Sequence, residues 1–167
     1  MWIGGSLLGL AALAGVAVSN AAPTILINGS PSEPVGVYVR TSLAPERGRI
    51  IAFAAPPAAF GYLDVAAPSL RRIPLLKAIA GTPGDRVCTD GGRLVINGAD
   101  RGPILWSDRQ GRGLPHWLGC RRLGPGEVFV FSDRVPNSFD SRYYGPVSVA
   151  RILGVYREVL ARTGAGA

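Results

Sequence analysis

Among the 18 lysine and arginine residues of this 167-residue sequence, only Lys77 is a lysine. It lies in an apolar segment, 75–80, whose alternation predicts a strand with Leu75, Lys77 and Ile79 on one face. An amine buried on such a face, with no carboxylate beside it, has a lowered pKa and could act as a general base near neutral pH. Arginine could not do this, because a guanidinium group does not deprotonate in proteins. The competing interpretation is a lysine that reaches solvent from an edge strand, in a sequence with a general preference for arginine codons.

The sequence contains two cysteines, Cys88 and Cys120, and one histidine, His116. In a protein exported to an oxidising compartment, two cysteines most economically form one disulfide. A second interpretation makes Cys120 a nucleophile with His116 as its base, although a cysteine held in a disulfide cannot attack a substrate. A tetrahedral zinc site needs a full set of cysteine and histidine ligands, and the sequence has too few. We therefore expect no metal and no cofactor.

Short apolar segments between glycine- and proline-rich turns predict a fold built mainly of strands. They lie at 35–40, 49–54, 75–80, 86–88, 94–96, 127–131 and 147–155. Pro83-Gly84 suits the centre of a type II turn, and Asn97-Gly98 suits a tight hairpin. The apolar segment 55–68 is interrupted by prolines, which leaves open a loop packed on the core or a surface that contacts lipid. We expect one twisted, antiparallel, partly closed β domain.

The composition excludes a disordered chain, because 47% of the residues are hydrophobic and only 17% are charged. A mean hydropathy of +0.23 suggests that some apolar sequence contacts a bilayer. The net charge of +7 is compatible with nucleic acid. However, the arginines are scattered rather than clustered on one element, which disfavours nucleic-acid binding and fits a general attraction to anionic lipid surfaces.

No charged side chain occurs in residues 1–27. The apolar part of this segment approaches the ~20 residues that a helix needs to cross a bilayer. We expect a membrane anchor at 1–24, an exported domain at 25–160 and a flexible tail at 161–167. The alternative is a cleaved secretory signal, since small residues at 19–22 could form a cleavage site, although no basic residue precedes the apolar run. Under either interpretation, the rest of the chain is exported across the membrane.

Three motifs follow one another along the sequence. The pattern Ser-x-Pro-x-Gly occupies 32–36, Lys77 precedes Thr-Pro-Gly-Asp at 82–85, and Asn-Ser-Phe-Asp-Ser-Arg-Tyr-Tyr-Gly-Pro occupies 137–146. Together these motifs resemble the signal peptidase I superfamily, peptidase family S26, and most of all its conjugative-transfer branch of TraF type. The resemblance runs from the predicted anchor to residue 156. It implies a mainly β, antiparallel, partly closed signal-peptidase-like fold with one N-terminal transmembrane helix.

The resemblance also implies catalytic roles for the matching residues. Ser32 would be the nucleophile and Lys77 its general base, which is the serine–lysine variant of the catalytic triad. Ser30 would help the backbone amide of Ser32 to stabilise the oxyanion. The alternative for Ser30 is a hydroxyl that only stabilises a turn.

Three further residues match supporting positions of the family. Ser138 would orient the lysine amine, while Asp140 and Arg142 would form an ion pair that holds the last motif near the site.

The sequence departs from the general leader peptidases in two places. Glu33 alone separates the serine from the proline, which favours the conjugation branch, and an alanine follows the lysine where arginine is usual. The loss of that arginine removes a positive charge beside the amine.

The implied function is that of a membrane-anchored serine endopeptidase at the bacterial inner membrane, with its catalytic domain in the periplasm. It would process exported pilin or conjugative-transfer precursors, by hydrolysis or by cyclisation, and would meet conjugation or type IV secretion components. The pair Cys88 and Cys120 and the segment 113–117 also resemble the conjugation branch, which favours the disulfide. Two alternatives are an inactive, membrane-tethered β domain that serves as a binding component of such an apparatus, and a basic periplasmic module that binds nucleic acid.

Overall fold

Antiparallel strands dominate residues 22–161, the part of the chain that this computed structural model describes. The strands are β1 (Ile25–Asn28), β2 (Gly36–Thr41), β3 (Ile50–Phe53), β4 (Leu75–Gly81), β5 (Arg86–Cys88), β6 (Arg93–Ile96), β7 (Ala99–Pro103), β8 (Cys120–Arg122), β9 (Glu127–Val130), β10 (Val147–Ser148) and β11 (Ile152–Ala161). Two short helices, α1 (Phe60–Ala66) and α2 (Ser141–Tyr144), accompany them. The predicted mainly β, antiparallel fold is confirmed.

The strands form two sheets. The larger has the order β1-β2-β11-β3-β4-β9-β10, and the smaller has the order β7-β6-β5-β8. The larger sheet is partly curled and ends at β1 on one side and β10 on the other. β4 therefore lies inside the larger sheet, between β3 and β9, where its backbone is held on both sides.

Alternation along β4 places Leu75, Lys77, Ile79 and Gly81 on its buried face. This face packs into the main hydrophobic core, to which Ile51, Phe53 and Val130 contribute from the neighbouring strands. The predicted alternation is confirmed, and it puts the only lysine on the core side of an interior strand rather than on an edge.

The predicted turns are present. Gly84 has φ +89° and the backbone N–H of Asp85 donates to the carbonyl of Thr82 at 3.0 Å, as a type II turn requires. Asn97 and Gly98 both have positive φ and connect β6 to β7 as a tight hairpin.

Two predictions about secondary structure were wrong in detail. The predicted strand 147–155 is divided into β10 and β11 by a 3-10 turn, Val149–Arg151, because the Ser148 hydroxyl accepts from the backbone N–H of Ala150 at 3.3 Å. The segment 55–68 contains α1, which packs on the core through the buried side chain of Leu63, and a preceding 3-10 turn, Pro57–Ala59, which packs on it through Ala59.

Within residues 22–161, no helix is long and apolar enough to cross a membrane. The predicted anchor at 1–24 lies outside the described residues up to position 21, and the predicted tail lies outside them from position 162.

Candidate active site

The amine of Lys77 meets the hydroxyl of Ser32. Lys77 Nζ and Ser32 Oγ lie 2.5 Å apart, although 45 positions separate the two residues in the sequence. Both are buried, with exposed fractions of 8% for Lys77 and 4% for Ser32. The other hydrogen-bond partner of the amine is the carbonyl oxygen of Leu76, at 3.3 Å. No carboxylate in the described part of the chain forms a salt bridge with Lys77.

Ser30 lies beside the same hydroxyl. Its Oγ is 3.0 Å from Ser32 Oγ, and the backbone N–H of Ser32 donates to Ser30 Oγ at 3.5 Å. The two hydroxyls and the Ser32 amide therefore converge on one point next to the amine. Here the Ser32 amide donates to the Ser30 hydroxyl, as it would to a turn-stabilising hydroxyl, whereas an oxyanion site needs both groups to donate to a substrate oxygen.

Asn28 organises the loop that carries Ser32, and the sequence interpretation missed this residue. Its Oδ1 accepts from the backbone N–H of Ser30 at 3.0 Å, while its amide nitrogen donates to the carbonyls of Glu33 at 3.0 Å and Pro34 at 2.9 Å. The hydroxyl of Tyr38 donates to the same Pro34 carbonyl at 2.8 Å. The composition Asn-Gly-Ser-Pro is typical of such side-chain-stabilised turns, so a local signal was available.

Ser132, also missed, ties the loop that carries Ser32 to the segment that follows β9. Its hydroxyl donates to the backbone carbonyl of Ser32. The backbone N–H of Ser132 in turn donates to Asp140 Oδ2 at 3.4 Å. No sequence pattern marks Ser132, because its partner lies 100 positions away.

Asp140 and Arg142 form the ion pair that the family resemblance implied. Arg142 Nε lies 2.8 Å from Asp140 Oδ1, and its Nη2 lies 2.9 Å from Asp140 Oδ2. The guanidinium group also donates to the carbonyls of Pro103 at 2.7 Å and Ser138 at 3.0 Å. Because both side chains are buried, the pair fixes the segment around α2 against the body of the domain.

The Ser138 hydroxyl is not joined to the lysine amine. Ser138 lines the same cavity as Lys77 and is 2% exposed, but its Oγ makes no hydrogen bond among the described residues. Its backbone carbonyl is instead fixed by Arg142. The amine-orienting role implied for Ser138 is thus not visible in this arrangement.

Burial controls the electrostatics of the amine. Removal from water lowers the pKa of Lys77 from its ordinary value of 10.5. Asp140 and Glu33 oppose this effect because their charges favour the ammonium form, whereas Arg142 acts in the same direction as burial. Burial also raises the pKa of the Glu33 carboxyl, against the opposing effects of the Ala78 N–H and Lys77. The net result for Lys77 is an amine that loses its proton more readily than a lysine in water.

A cavity of about 410 Å³ opens onto the pair. Its lining is mostly apolar and includes Leu26, Ile27, Leu75, Leu76 and Phe139 together with Ser32 and Lys77. Arg109 is the only other charged residue that lines this cavity in the described part of the chain. This volume lies within the usual range for ligand pockets, and the cavity adjoins the Ser32 hydroxyl.

Cys88 and Cys120 are joined in a disulfide across the neighbouring strands β5 and β8. A sulfur in a disulfide cannot act as a nucleophile, so the alternative based on Cys120 and His116 has no free thiol. The ring of His116 lies against Trp106, with Nε2 3.1 Å from the carbonyl oxygen of Leu105.

Comparison with known proteins identifies the family. The family signal peptidase, peptidase S26, matches residues 4–161. The chain belongs to this family. Within the signal peptidase family it is of the TraF type, since it is 32% identical over 163 residues to the conjugal transfer protein TraF of Agrobacterium fabrum, covering 88% of this chain and 91% of that protein.

Three further proteins match with lower identity or over a smaller part of the chain. The plasmid transfer protein TraF of Escherichia coli is 29% identical over 156 residues, covering 80% of this chain and 81% of that protein. Signal peptidase I of Bacillus caldolyticus is 34% identical over 90 residues, covering 47% of this chain and 49% of that protein. A crystal structure of a signal peptidase I from Enterococcus faecalis aligns with a TM-score of 0.40 and 24% identity, covering 69% of this chain and 98% of that chain.

Proposed function

We propose that this member of the signal peptidase family is a serine endopeptidase that cleaves exported precursor proteins, with Ser32 as nucleophile and Lys77 as general base. The observation that carries the proposal is the 2.5 Å contact between Ser32 Oγ and the buried amine of Lys77. A serine hydroxyl is a weak nucleophile until an adjacent base removes its proton. Burial without a salt bridge makes this amine a suitable base.

In the first half of the proposed reaction, neutral Lys77 takes the proton of Ser32 as Oγ attacks the carbonyl carbon of the scissile peptide bond. The negative charge that develops on the carbonyl oxygen is stabilised by the Ser32 N–H and the Ser30 hydroxyl, each donor contributing about 3–4 kcal/mol. The ammonium of Lys77 then gives its proton to the departing amine. An ester between Ser32 and the substrate remains.

In the second half, Lys77 removes a proton from a nucleophile that attacks this ester. Water in this role gives hydrolysis. The amine of the same substrate in this role gives a cyclic product. Both routes return Ser32 and Lys77 to their starting states, so the dyad supports either outcome.

We propose that the substrate binds as an added strand. β1 is an edge strand of the larger sheet and its residues Leu26 and Ile27 line the cavity, so an extended peptide could pair with this edge and reach Ser32. The TraF proteins that the chain resembles are named for conjugal and plasmid transfer. A pilin-like precursor of a conjugation apparatus is therefore the proposed substrate, with small residues before the cleaved bond.

We propose further that the catalytic domain works in the periplasm, at the inner membrane. The disulfide between Cys88 and Cys120 supports an oxidising compartment. The proposed anchor at 1–24 ends eight positions before Ser32, which limits the reach of the site to roughly 28 Å from the anchor. Precursors that emerge from the same membrane, and components of a type IV secretion apparatus, would be its neighbours.

Cleavage of a pilin precursor by variants of the full chain tests the proposal. Ser32→Ala lacks the nucleophile, and Lys77→Arg keeps a cation that does not deprotonate. Each variant should cleave at least about 10³-fold more slowly than the wild type while accumulating normally. Normal cleavage by either variant would contradict the dyad. A wild type that binds the precursor without cleaving it would favour the inactive binding domain.

A further inference from the structure

We propose that Glu33 is a positioning residue. Its carboxylate fastens the loop between β1 and β2, which carries Ser32, to β4 next to the contact between Ser32 and Lys77, and it places a negative charge beside the amine. This inference rests on the proposed function. Glu33 directly follows Ser32, the proposed nucleophile, in the sequence.

The contacts of Ser32 and Glu33 are in register with two consecutive residues of β4. Ser32 Oγ meets Lys77 Nζ at 2.5 Å, and the next residue, Glu33, accepts through Oε1 from the backbone N–H of Ala78 at 2.9 Å. Each contact joins residues 45 positions apart. A displacement of the Glu33 side chain would therefore move the nucleophile relative to its base.

The N–H of Ala78 is available because the adjacent strand ends there. β9 ends at Val130, and the N–H of the following residue, Phe131, donates to the carbonyl of Ala78 at 3.1 Å. The N–H and carbonyl groups of one residue point to the same side of a strand, so the N–H of Ala78 also faces the position that a continued β9 would occupy. The Glu33 carboxylate supplies the acceptor at this position.

Two side chains thus fix the loop at Ser32 and at the residue that follows it. The Ser132 hydroxyl holds the carbonyl of Ser32, and the Glu33 carboxylate holds the N–H of Ala78. Glu33 is 4% exposed and Ala78 is half-buried, so removing the carboxylate would leave the N–H of Ala78 without its partner where water reaches it only in part. The anchoring of Ser32 is therefore coupled to β4 through Glu33.

The charges around the amine give Glu33 a second effect. The charges of two carboxylates, Asp140 and Glu33, raise the pKa of Lys77, and the guanidinium of Arg142 lowers it. Asp140 is already compensated by its bidentate contact with Arg142. The charge of Glu33 has no salt bridge in the described part of the chain, and so it favours the ammonium form of Lys77 that appears when Ser32 loses its proton.

The pKa of Glu33 in turn is lowered by the charges of Lys77 and Arg134 and raised by that of Asp133. Arg134 and Asp133 are exposed, so solvent weakens their effect, whereas Lys77 is buried with Glu33. Loss of the Glu33 charge should therefore make the amine easier to deprotonate and the ammonium less stable. Easier deprotonation of the amine moves the acidic limb of the pH profile of kcat/KM, and a less stable ammonium lowers kcat.

Two substitutions separate the anchoring effect from the charge effect. Glu33→Gln keeps an oxygen that accepts from Ala78 and removes the charge, whereas Glu33→Ala removes both. Glu46→Gln, at an exposed acid in the loop before β3, is the matched control. The measurement is kcat and KM for cleavage of the pilin precursor by the full chain as a function of pH, with thermal unfolding of each variant recorded in parallel.

We expect Glu33→Gln to move the acidic limb of kcat/KM to lower pH by roughly half a unit or more, with kcat lowered only a few-fold. Glu33→Ala should lower kcat by about tenfold or more with a smaller change in KM, because the nucleophile loses its anchor. Glu46→Gln should leave the profile unchanged. Should Glu33→Ala fail to fold, the profile of Glu33→Gln alone decides the proposal.

The outcomes distinguish this proposal from the one it rests on. An active wild type, an inactive Ser32→Ala variant and an unshifted profile for Glu33→Gln would overturn the positioning role and leave the peptidase function intact. A wild type without cleavage activity would overturn the peptidase function and the inference with it.

Discussion

Lys77 Nζ and Ser32 Oγ lie 2.5 Å apart inside the domain, and no carboxylate of the described residues forms a salt bridge with that amine. A lysine paired with a carboxylate would keep its proton. Here burial lowers the pKa of Lys77 while Asp140 and Glu33 act on it only at longer range. The contact therefore joins a hydroxyl that needs a base to an amine that can become one.

Replacement of Lys77 by methionine should stabilise the chain in a pH-dependent way. Burial lowers the pKa of Lys77 in the folded chain, whereas the unfolded chain has the ordinary value of about 10.4. Between these values the unfolded chain binds more protons, so the stability of the wild type rises with pH. Lys77→Met removes the cost of burying the amine, so the variant should be more stable than the wild type. This difference in stability should be largest below the pKa that Lys77 has in the folded chain, and it should shrink toward about pH 10.4.

Thermal unfolding of the wild type and Lys77→Met across this pH range measures the difference. The Ser32→Ala variant is the control, since it alters the same site and keeps the amine. A difference in unfolding temperature that stays constant with pH would contradict the lowered pKa.

Replacement of Ser132 by alanine should slow catalysis more than it affects binding. The variant loses the hydrogen bond from the Ser132 hydroxyl to the Ser32 carbonyl. A hydrogen bond of this kind contributes about 1 kcal/mol, which corresponds to roughly a fivefold decrease in kcat if it serves only to orient the nucleophile. Ser42→Ala, at an exposed position, is the control. Equal kcat values for Ser132→Ala and Ser42→Ala would show that the contact does not position Ser32.

Replacement of Asp140 by alanine should destabilise the domain strongly. It leaves the guanidinium of Arg142, 2% exposed, buried without its partner. Such a loss typically costs about 3–5 kcal/mol of unfolding free energy. Asp64→Ala breaks the exposed pair with Arg71 and should cost less than about 1 kcal/mol. Chemical denaturation of both variants measures the difference, and equal losses would contradict the structural role of the buried pair.

Removal of the disulfide should lower stability and spare the dyad. Cys88 and Cys120 are 32 positions apart, and the chain-entropy model gives about 3–4 kcal/mol for a loop of this length. The disulfide lies in the smaller sheet, whereas Lys77 lies on β4 in the larger one. The double variant Cys88→Ser/Cys120→Ser should unfold at a lower denaturant concentration and still cleave the precursor in the absence of denaturant. Unchanged stability, or loss of cleavage in a folded double variant, would contradict this prediction.

The buried face of β4 was predictable because strand alternation is a local property of the sequence. The same holds for the turn at Gly84, whose positive φ suits glycine. The helix α1 was not predicted, because prolines at both ends of an apolar segment suggest a loop and the packing of Leu63 on the core depends on distant strands.

The site itself was only partly predictable. Family motifs indicated Ser32 and Lys77, but their separation could not follow from local patterns, since the contact spans 45 positions. Ser132 and Glu33 act through backbone groups of other segments, and a side chain that bonds to a distant backbone group leaves no periodic signal. The implied contact between Ser138 and the amine shows the opposite case, in which a motif suggests a hydrogen bond that this geometry does not contain.

The protonation state of the Lys77 amine can be measured directly because the sequence contains no other lysine. The full chain, labelled with carbon-13 and nitrogen-15 lysine, gives a single side-chain amine signal by NMR, which can be titrated from about pH 5 to about pH 11. We expect a midpoint well below 10.5, the ordinary pKa of lysine, because burial of the amine disfavours its charged form. A midpoint at or above that value would contradict this expectation.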